Sequence, residues 1–261
     1  MNHYISSIIL GVIEGITEFL PISSTGHLLI AERLGLGHRS DLFNVVIQAG
    51  AILAITIVYW KRLWSLMTGF GKPENRDYAL KLVAAFVITG ILGFIALKMG
   101  FKLPEEITPI AWALLIGGVW IIAAEWFAAK KVDTVTVTWK VAIAVGLGQM
   151  VAAIFPGSSR SGVTIFAAML LGTSNRAAAT EFTFLVGIPT MYAASAKLLW
   201  DAFKHGGGGS SGDLILAFIV STITAFIAVK WLLRYIQTHR FTIFAVYRIA
   251  LGLLLLLLFN G

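Results

Sequence analysis

The sequence predicts an all-α, polytopic integral membrane protein with inverted-topology repeats, two re-entrant helix-loop-helix hairpins and about six transmembrane helices. Three observations carry that expectation. Apolar residues make up 58% of the chain and charged residues only 13%, against about 25% charged in soluble domains. Several apolar runs approach the roughly 20 residues needed to span a bilayer, and mean hydropathy is +0.86. One pattern is also written twice, as GVIEGITEFLPISSTGH at Gly11–His27 and GLGQMVAAIFPGSSRSG at Gly146–Gly162. Aligned on Pro21 and Pro156, the copies set Gly11 on Gly146, Glu14 on Gln149 and Ser23-Ser24 on Ser158-Ser159. Each copy breaks an apolar stretch with proline, then offers hydroxyls able to open a new helix. Paired broken helices in corresponding halves point to a binding site between them.

Taken in order, Tyr4–Leu20 and His27–Glu32 form the first hairpin. Val45–Trp60 runs inward, Leu82–Leu97 outward and Ile110–Ala129 inward. Trp139–Phe155 and Val163–Leu171 form the second hairpin, followed by Glu181–Trp200 outward, Leu214–Val229 inward and Phe241–Phe259 outward. Loop charge sets these directions through the positive-inside bias. Lys61, Arg62, Lys72, Arg76 and Lys81 mark one cytoplasmic loop, Lys130, Lys131 and Lys140 a second, and Lys230, Arg234 and Arg240 a third. The loops at 98–106 and 201–213 are balanced by acids and are expected outside. One hairpin then enters from each side. The chain reads as a single membrane domain, 1–261, with repeat halves of approximately 1–132 and 133–261.

Non-helical backbone at membrane depth must be buried in protein or line a wet cavity, so the two breaks should face each other. Gly206–Gly212 reads as a flexible external connector. With neither a basic n-region nor a small-residue cleavage site, no cleaved signal peptide is expected. The net charge of +7 is assigned to cytoplasmic loops, with no nucleic-acid partner. Absence of cysteine excludes disulfides and thiolate chemistry.

Glu14 and Glu18 are four residues apart and share a helix face, with Gly11 and Gly15 on a neighbouring face suited to close helix approach. A carboxylate at the bilayer centre costs roughly 2.5–3.5 kcal/mol on insertion scales. The pair therefore reads as a metal site or an acid/base pair, the plain alternative being an ion pair with a distant arginine. Ser23, Ser24, Thr25 and His27 follow Pro21. Serines before a helix are ordinarily caps, but a histidine three residues from Ser24 also offers a nucleophile and base if the side chains meet. In PGSSRSGVT, Pro156–Thr164, small residues and hydroxyls open a helix whose N–H groups suit an anion, and Arg160 adds a planar fork suited to phosphate. Gln48 is positioned to line the cavity. Glu181 opens a helix, Arg248 interrupts an apolar run and needs a partner, and Glu125 is expected to snorkel or meet the lysines that follow it.

Together the motifs resemble the undecaprenyl-diphosphate phosphatase family of the bacitracin-resistance type. Its first signature, Glu/Gln-x-x-x-Glu followed by P-x-S-S-T-G-H, matches Glu14–Glu18 and Pro21–His27; its second, P-G-x-S-R-S-x-x-T, matches Pro156–Thr164. The likeness extends through VVIQAG at Val45–Gly50, EFTF at Glu181–Phe184 and FAVYR at Phe244–Arg248. The resemblance implies hydrolysis of undecaprenyl diphosphate to undecaprenyl phosphate and inorganic phosphate, recycling the carrier for cell-wall synthesis and giving bacitracin resistance. It also implies a multi-pass protein of the bacterial plasma membrane, a site open to the outside, a divalent cation (Mg2+ or Ca2+) and a tendency to form homodimers. Carried over, Ser24 is the nucleophile, with His27 activating it, protonating the leaving oxygen or attacking directly. Glu14 and Glu18 act as acid/base or hold the cation, and Arg160 stabilises the phosphoryl charge. The expected substrate-contacting set is Ser23, Thr25, Gly26, Gln48, Gly157, Ser158, Ser159, Ser161 and Thr164. The rival class is a secondary transporter or flippase, which shares inverted repeats and broken helices but releases no phosphate. A second lipid-phosphatase family, with K-x6-R-P, P-S-G-H and S-R-x5-H signatures, is excluded because the chain has no Arg-Pro pair.

Overall fold

Proline and the helix-opening serines divide the chain into helices of two kinds. The computed structural model describes residues 3–100, 106–204 and 211–259, and every regular element among them is helical. In order these are α1 (His3–Thr17), α2 (Ser24–Ala31), α3 (Asp41–Val58), α4 (Trp60–Thr68), α5 (Pro73–Lys98), α6 (Ile107–Ala128), α7 (Trp139–Ile154), α8 (Arg160–Leu171), α9 (Arg176–Lys204), α10 (Ser211–Tyr235) and α11 (Thr242–Phe259). A π-helical turn, Glu32–Leu36, continues α2. Among the described residues, six helices are long and apolar enough to cross a bilayer: α3, α5, α6, α9, α10 and α11. The 15 residues of α1 and 16 of α7 reach only about 22–24 Å at 1.5 Å per residue, short of the roughly 30 Å hydrocarbon core. Most of the Gly206–Gly212 connector, with Lys102 and Glu105, falls outside the described residues.

Several boundaries pass beyond the apolar runs, for a local reason. Helix α5 begins ahead of the expected Leu82 because Lys81 donates to Asp77, one turn earlier, at 2.5 Å and to Val137 O at 2.7 Å. Charge inside the helix is thus partnered and does not end it. The stretch after Trp60, read as loop, holds α4. Glu125 neither snorkels nor meets its lysines. It is buried, accepting both Arg176 Nε (2.8 Å) and Nη2 (2.5 Å) and the Phe241 amide at 2.9 Å, which ties α6 to the starts of α9 and α11. Glu181, in α9, pairs with Arg62 at 3.0 Å and accepts from the Tyr78 hydroxyl at 3.4 Å.

In lipid, helices associate through close packing rather than hydrophobic exclusion, so small residues mark the contacts. Helix α1 packs on α10 and α7 on α5. A Cβ added at Gly11 would lie 2.8 Å from Ala217 O, and one at Gly146 would lie 2.9 Å from Ala85 O. The central core joins Phe19, Ile55, Ile121, Phe166, Phe182, Phe184 and Phe241, with Phe19 edge-on to Phe184 at 5.2 Å. On the outside, Val83, Val87 and Ile91 on α5 and Ile215, Ile219, Ile223 and Ile227 on α10 are exposed at four-residue spacing. Apolar stripes of this kind suit acyl chains.

Candidate active site

Two turns with the same backbone build the site. Ser23 (φ 75°) caps α2 and its Oγ accepts from the Gly26 amide at 3.3 Å; Ser159 (φ 68°) caps α8 and accepts from the Gly162 amide at 3.2 Å. These are the only non-glycine residues with positive φ among those described. A non-glycine residue in this region costs about 1–3 kcal/mol and persists only when its surroundings enforce it. The caps also revise the register read from the prolines. Ser23 follows Pro21 by two residues and Ser159 follows Pro156 by three, the extra residue being accommodated at Gly157, with φ 93°. Ser23 therefore matches Ser159, and the first helical residues, Ser24 and Arg160, occupy equivalent places.

Those two residues meet on one carboxylate. Ser24 Oγ donates to Glu18 Oε2 at 2.5 Å, and Arg160 Nη2 donates to Glu18 Oε1 at 3.2 Å. A short bond to a carboxylate is the stronger, charge-assisted kind. Glu18 is thus paired with the arginine of the second motif. Glu14, one turn back, is 2% exposed, and its Oε2 has no hydrogen-bond partner.

A cavity of about 360 Å³ lies over this group, walled by Glu18, Ser23, Ser24, Thr25, Gln48, Gly157, Ser159 and Arg160 on one side and Thr89, Gln149, Thr190 and Met191 on another. A second cavity of about 650 Å³ shares Ser24, Thr25 and Gln48 with it and reaches Glu14, Glu32, Asp41 and Leu198. Gly26, His27, Ser158, Ser161 and Thr164 line neither. Ser161 Oγ donates to Leu20 O at 3.0 Å and Thr164 Oγ1 to Arg160 O at 2.7 Å, so both hydroxyls hold backbone. Ser158 Oγ is buried without a partner. His27 does not bond Ser24: Nδ1 lies 2.7 Å from Ser23 O and Nε2 lies 2.6 Å from the Tyr247 hydroxyl.

The described residues contain no group of three or more His, Asp or Glu able to hold a metal by themselves. What they offer is two adjacent carboxylates beside a polar cavity, one with an orphaned oxygen. A family model described as bacitracin resistance protein BacA matches residues 7–254. The chain belongs to that family. It is 67% identical over 255 residues to a Rhizobium etli (strain CIAT 652) protein named undecaprenyl-diphosphatase, covering 97% of this chain and 96% of that one. A protein of the same name from Xanthomonas euvesicatoria pv. vesicatoria (strain 85-10) is 60% identical over 259 residues, covering 98% and 97%.

In this member of the BacA family, three contributors lie outside the candidate site residues read from the sequence. Arg248, fully buried on α11, uses all five of its N–H groups on carbonyls. Nη1 donates to Pro21 O (3.1 Å) and Ser158 O (2.9 Å), Nη2 to Gly157 O (3.0 Å) and Ala113 O (2.9 Å), and Nε to Leu114 O (3.3 Å). Its missing partner is the backbone of both turns. Glycine makes room for each arginine, since a Cβ at Gly117 would fall 1.9 Å from Arg248 Nη2 and one at Gly187 2.0 Å from Arg160 Nη1. Tyr247, next to Arg248, holds His27. Gln149 Nε2 donates to Thr89 Oγ1 at 2.9 Å and Thr190 Oγ1 at 3.4 Å. Each threonine lies within donating distance of backbone carbonyls, Thr89 of Ala85 O and Gly146 O and Thr190 of Val186 O. A hydroxyl has a single proton to give, so these threonines accept from the amide, which orients it. The signals in the sequence were that Arg248 interrupts an apolar run and that Tyr247 and Arg248 lie in the closing FAVYR segment.

Proposed function

We propose that this protein hydrolyses undecaprenyl diphosphate to undecaprenyl phosphate and inorganic phosphate, the reaction for which its relatives are named, and so recycles the lipid carrier of cell-wall synthesis and confers bacitracin resistance. The observation that carries the reading is Glu18, which joins the Ser24 hydroxyl and the Arg160 guanidinium at the mouths of two helix N-termini. The α8 N-terminus and Arg160 suit the terminal phosphoryl group. Ser24 Oγ attacks its phosphorus while its proton passes to Glu18. The Oγ–P bond forms, the bridging P–O bond breaks, and the lipid monophosphate leaves. Water then attacks the phosphoserine and the Oγ–P bond breaks; Glu18 returns its proton to Ser24 Oγ, and both protons of the water leave with inorganic phosphate. Fixed donors aimed at the developing charge carry most of such catalysis. Glu18 at 2.5 Å favours Ser24 over His27 as nucleophile, because both His27 ring nitrogens are already hydrogen-bonded.

Glu14 and Glu18 fit a divalent cation, Mg2+ or Ca2+, because Glu14 Oε2 is buried without a donor; one or two carboxylates plus substrate phosphates are the usual protein share of a Mg2+ site. Such an ion supplies neutralisation of the diphosphate charge. Ser23, Thr25, Gln48, Gly157 and Ser159 line the cavity and would contact substrate.

The reading includes inverted halves, about 1–132 and 133–261, whose hairpins α1–α2 and α7–α8 enter from opposite faces of the plasma membrane. It is supported by the matching pairs α1 on α10 and α7 on α5. It also has the larger cavity opening outside: Asp41, which begins α3, lines it, and the basic loop follows the far end of α3. Homodimerisation belongs to the same reading through the family resemblance. The test is phosphate release from a polyprenyl diphosphate by the purified protein with a divalent ion. No release from wild type would favour a transporter, and full activity in Ser24→Ala would remove the assigned nucleophile.

A further inference from the structure

His27 stands one turn after Ser24, where a base for that hydroxyl is expected, yet its ring is engaged elsewhere at both ends. A carbonyl only accepts, so the contact with Ser23 O at 2.7 Å requires the proton on Nδ1. In the neutral ring Nε2 is then the acceptor, and the Tyr247 hydroxyl at 2.6 Å donates to it. The two rings also stack, with centroids 5.6 Å apart and planes 8° from parallel. The chain of bonds runs from α11 through the imidazole to the carbonyl of Ser23, the positive-φ residue that orients Ser24.

The second turn lacks this brace. Ser159 has nearly the same φ, but the residue at the position of His27 is Val163, which gives the Ser159 carbonyl only its amide, at 2.9 Å. A side-chain hold on the capping serine's own carbonyl is therefore present on the turn that carries the hydroxyl and absent from the turn that carries the arginine, whose long side chain reaches Glu18 by itself. A serine hydroxyl one carbon from the backbone has no such reach, and its position is set by the turn.

We propose that Tyr247 and His27 form a brace that holds the strained Ser23–Ser24 turn from α11, so that His27 is a positioning residue while Glu18 receives the Ser24 proton. The proposal rests on the hydrolytic reading above and names a residue, Tyr247, that acts on it only through another.

The test uses the purified full-length protein and three substitutions. His27→Gln keeps an N–H donor for Ser23 O but has neither base nor nucleophile; His27→Ala keeps nothing. The brace predicts that His27→Gln retains at least ~10-fold more kcat than His27→Ala with KM unchanged, because displacing a reacting atom by ~1 Å costs about 100-fold. Tyr247→Phe keeps the stacked ring and loses one bond, and should lower kcat about 3–10-fold by the same argument. Nitrogen-15 signals of the imidazole should show a protonated Nδ1 in the wild type and a mixture of tautomers in Tyr247→Phe, a readout independent of turnover. The proposal is overturned if His27→Gln is as inactive as His27→Ala while both keep wild-type thermal stability. It is equally overturned if Tyr247→Phe changes neither kcat nor the tautomer. Wild-type protein that releases no phosphate would sink the hydrolytic reading instead, leaving the tautomer measurement to judge the brace.

Discussion

The Ser23 turn and the Ser159 turn are nearly superimposable in kind and opposite in chemistry. Both place a capping serine at positive φ, both cap a glycine amide three residues on, and both give a carbonyl of the turn to Arg248, directly or through the preceding residues. At the next position they part: Ser24 gives a hydroxyl, Arg160 a cation, and both reach Glu18. One turn back stand a carboxylate, Glu14, and an amide, Gln149, whose nitrogen is held by two threonines, and each leaves a buried oxygen without a partner. Two turns of like backbone thus carry unlike side chains. A single carboxylate, from the first copy, joins them.

Removing the first copy's hydroxyl tests that contrast most severely. Ser24→Ala should lower kcat by at least about 1000-fold, as loss of a nucleophile does, with thermal stability intact; phosphate release and thermal unfolding measure the two. Arg160→Ala should cost about 100–1000-fold, the range for one oxyanion donor, and Arg160→Lys should recover only part because lysine lacks the fork. Near-normal activity in Arg160→Ala would break the comparison, making the second turn mere support.

Arg248→Met attacks what the turns share. It leaves carbonyls of both turns without donors at about 1–3 kcal/mol each, so a loss of at least ~3 kcal/mol is expected in detergent unfolding. Gln149→Glu gives the second copy the first copy's carboxylate. With both threonine protons committed to backbone, no donor awaits it, and a loss of about 1–3 kcal/mol is expected; a more stable variant would refute the hydroxyl assignment. The smallest effect separates neighbours: Ser159→Ala should cost about 1 kcal/mol as a lost cap, and Ser158→Ala less than about 0.5. The reverse order would restore the register read from the prolines.

Much of this was legible because it is local. Proline followed by serines predicts a break and a cap, the Glu14–Glu18 spacing predicts a shared face, and apolar runs predict six long helices. What stayed hidden depends on contacts between distant parts of the chain. Nothing around Arg248 announces that its partners are carbonyls at Pro21, Ala113, Leu114, Gly157 and Ser158. Nothing near His27 announces Tyr247. Glu125 neither snorkels nor meets the lysines that follow it, because Arg176 and the Phe241 amide reach it only in the folded bundle. The register error had a local cause of another kind, since one glycine at φ 93° absorbs a residue that an alignment on proline must place elsewhere.

The guanidinium of Arg248 also bears on motion. It grips α6 and both turns at once, and it does so from within the bundle with every N–H engaged. Hydrogen bonds to a charged group contribute roughly 1.5–3 kcal/mol each, so drawing one turn away from the other carries that penalty in a place water does not reach. Ser24 and Arg160 are therefore mechanically coupled: a substrate that displaces one displaces both. Any opening of this protein to admit a lipid headgroup has to take place around the pair, by movement of the surrounding helices, with the two turns travelling as one body.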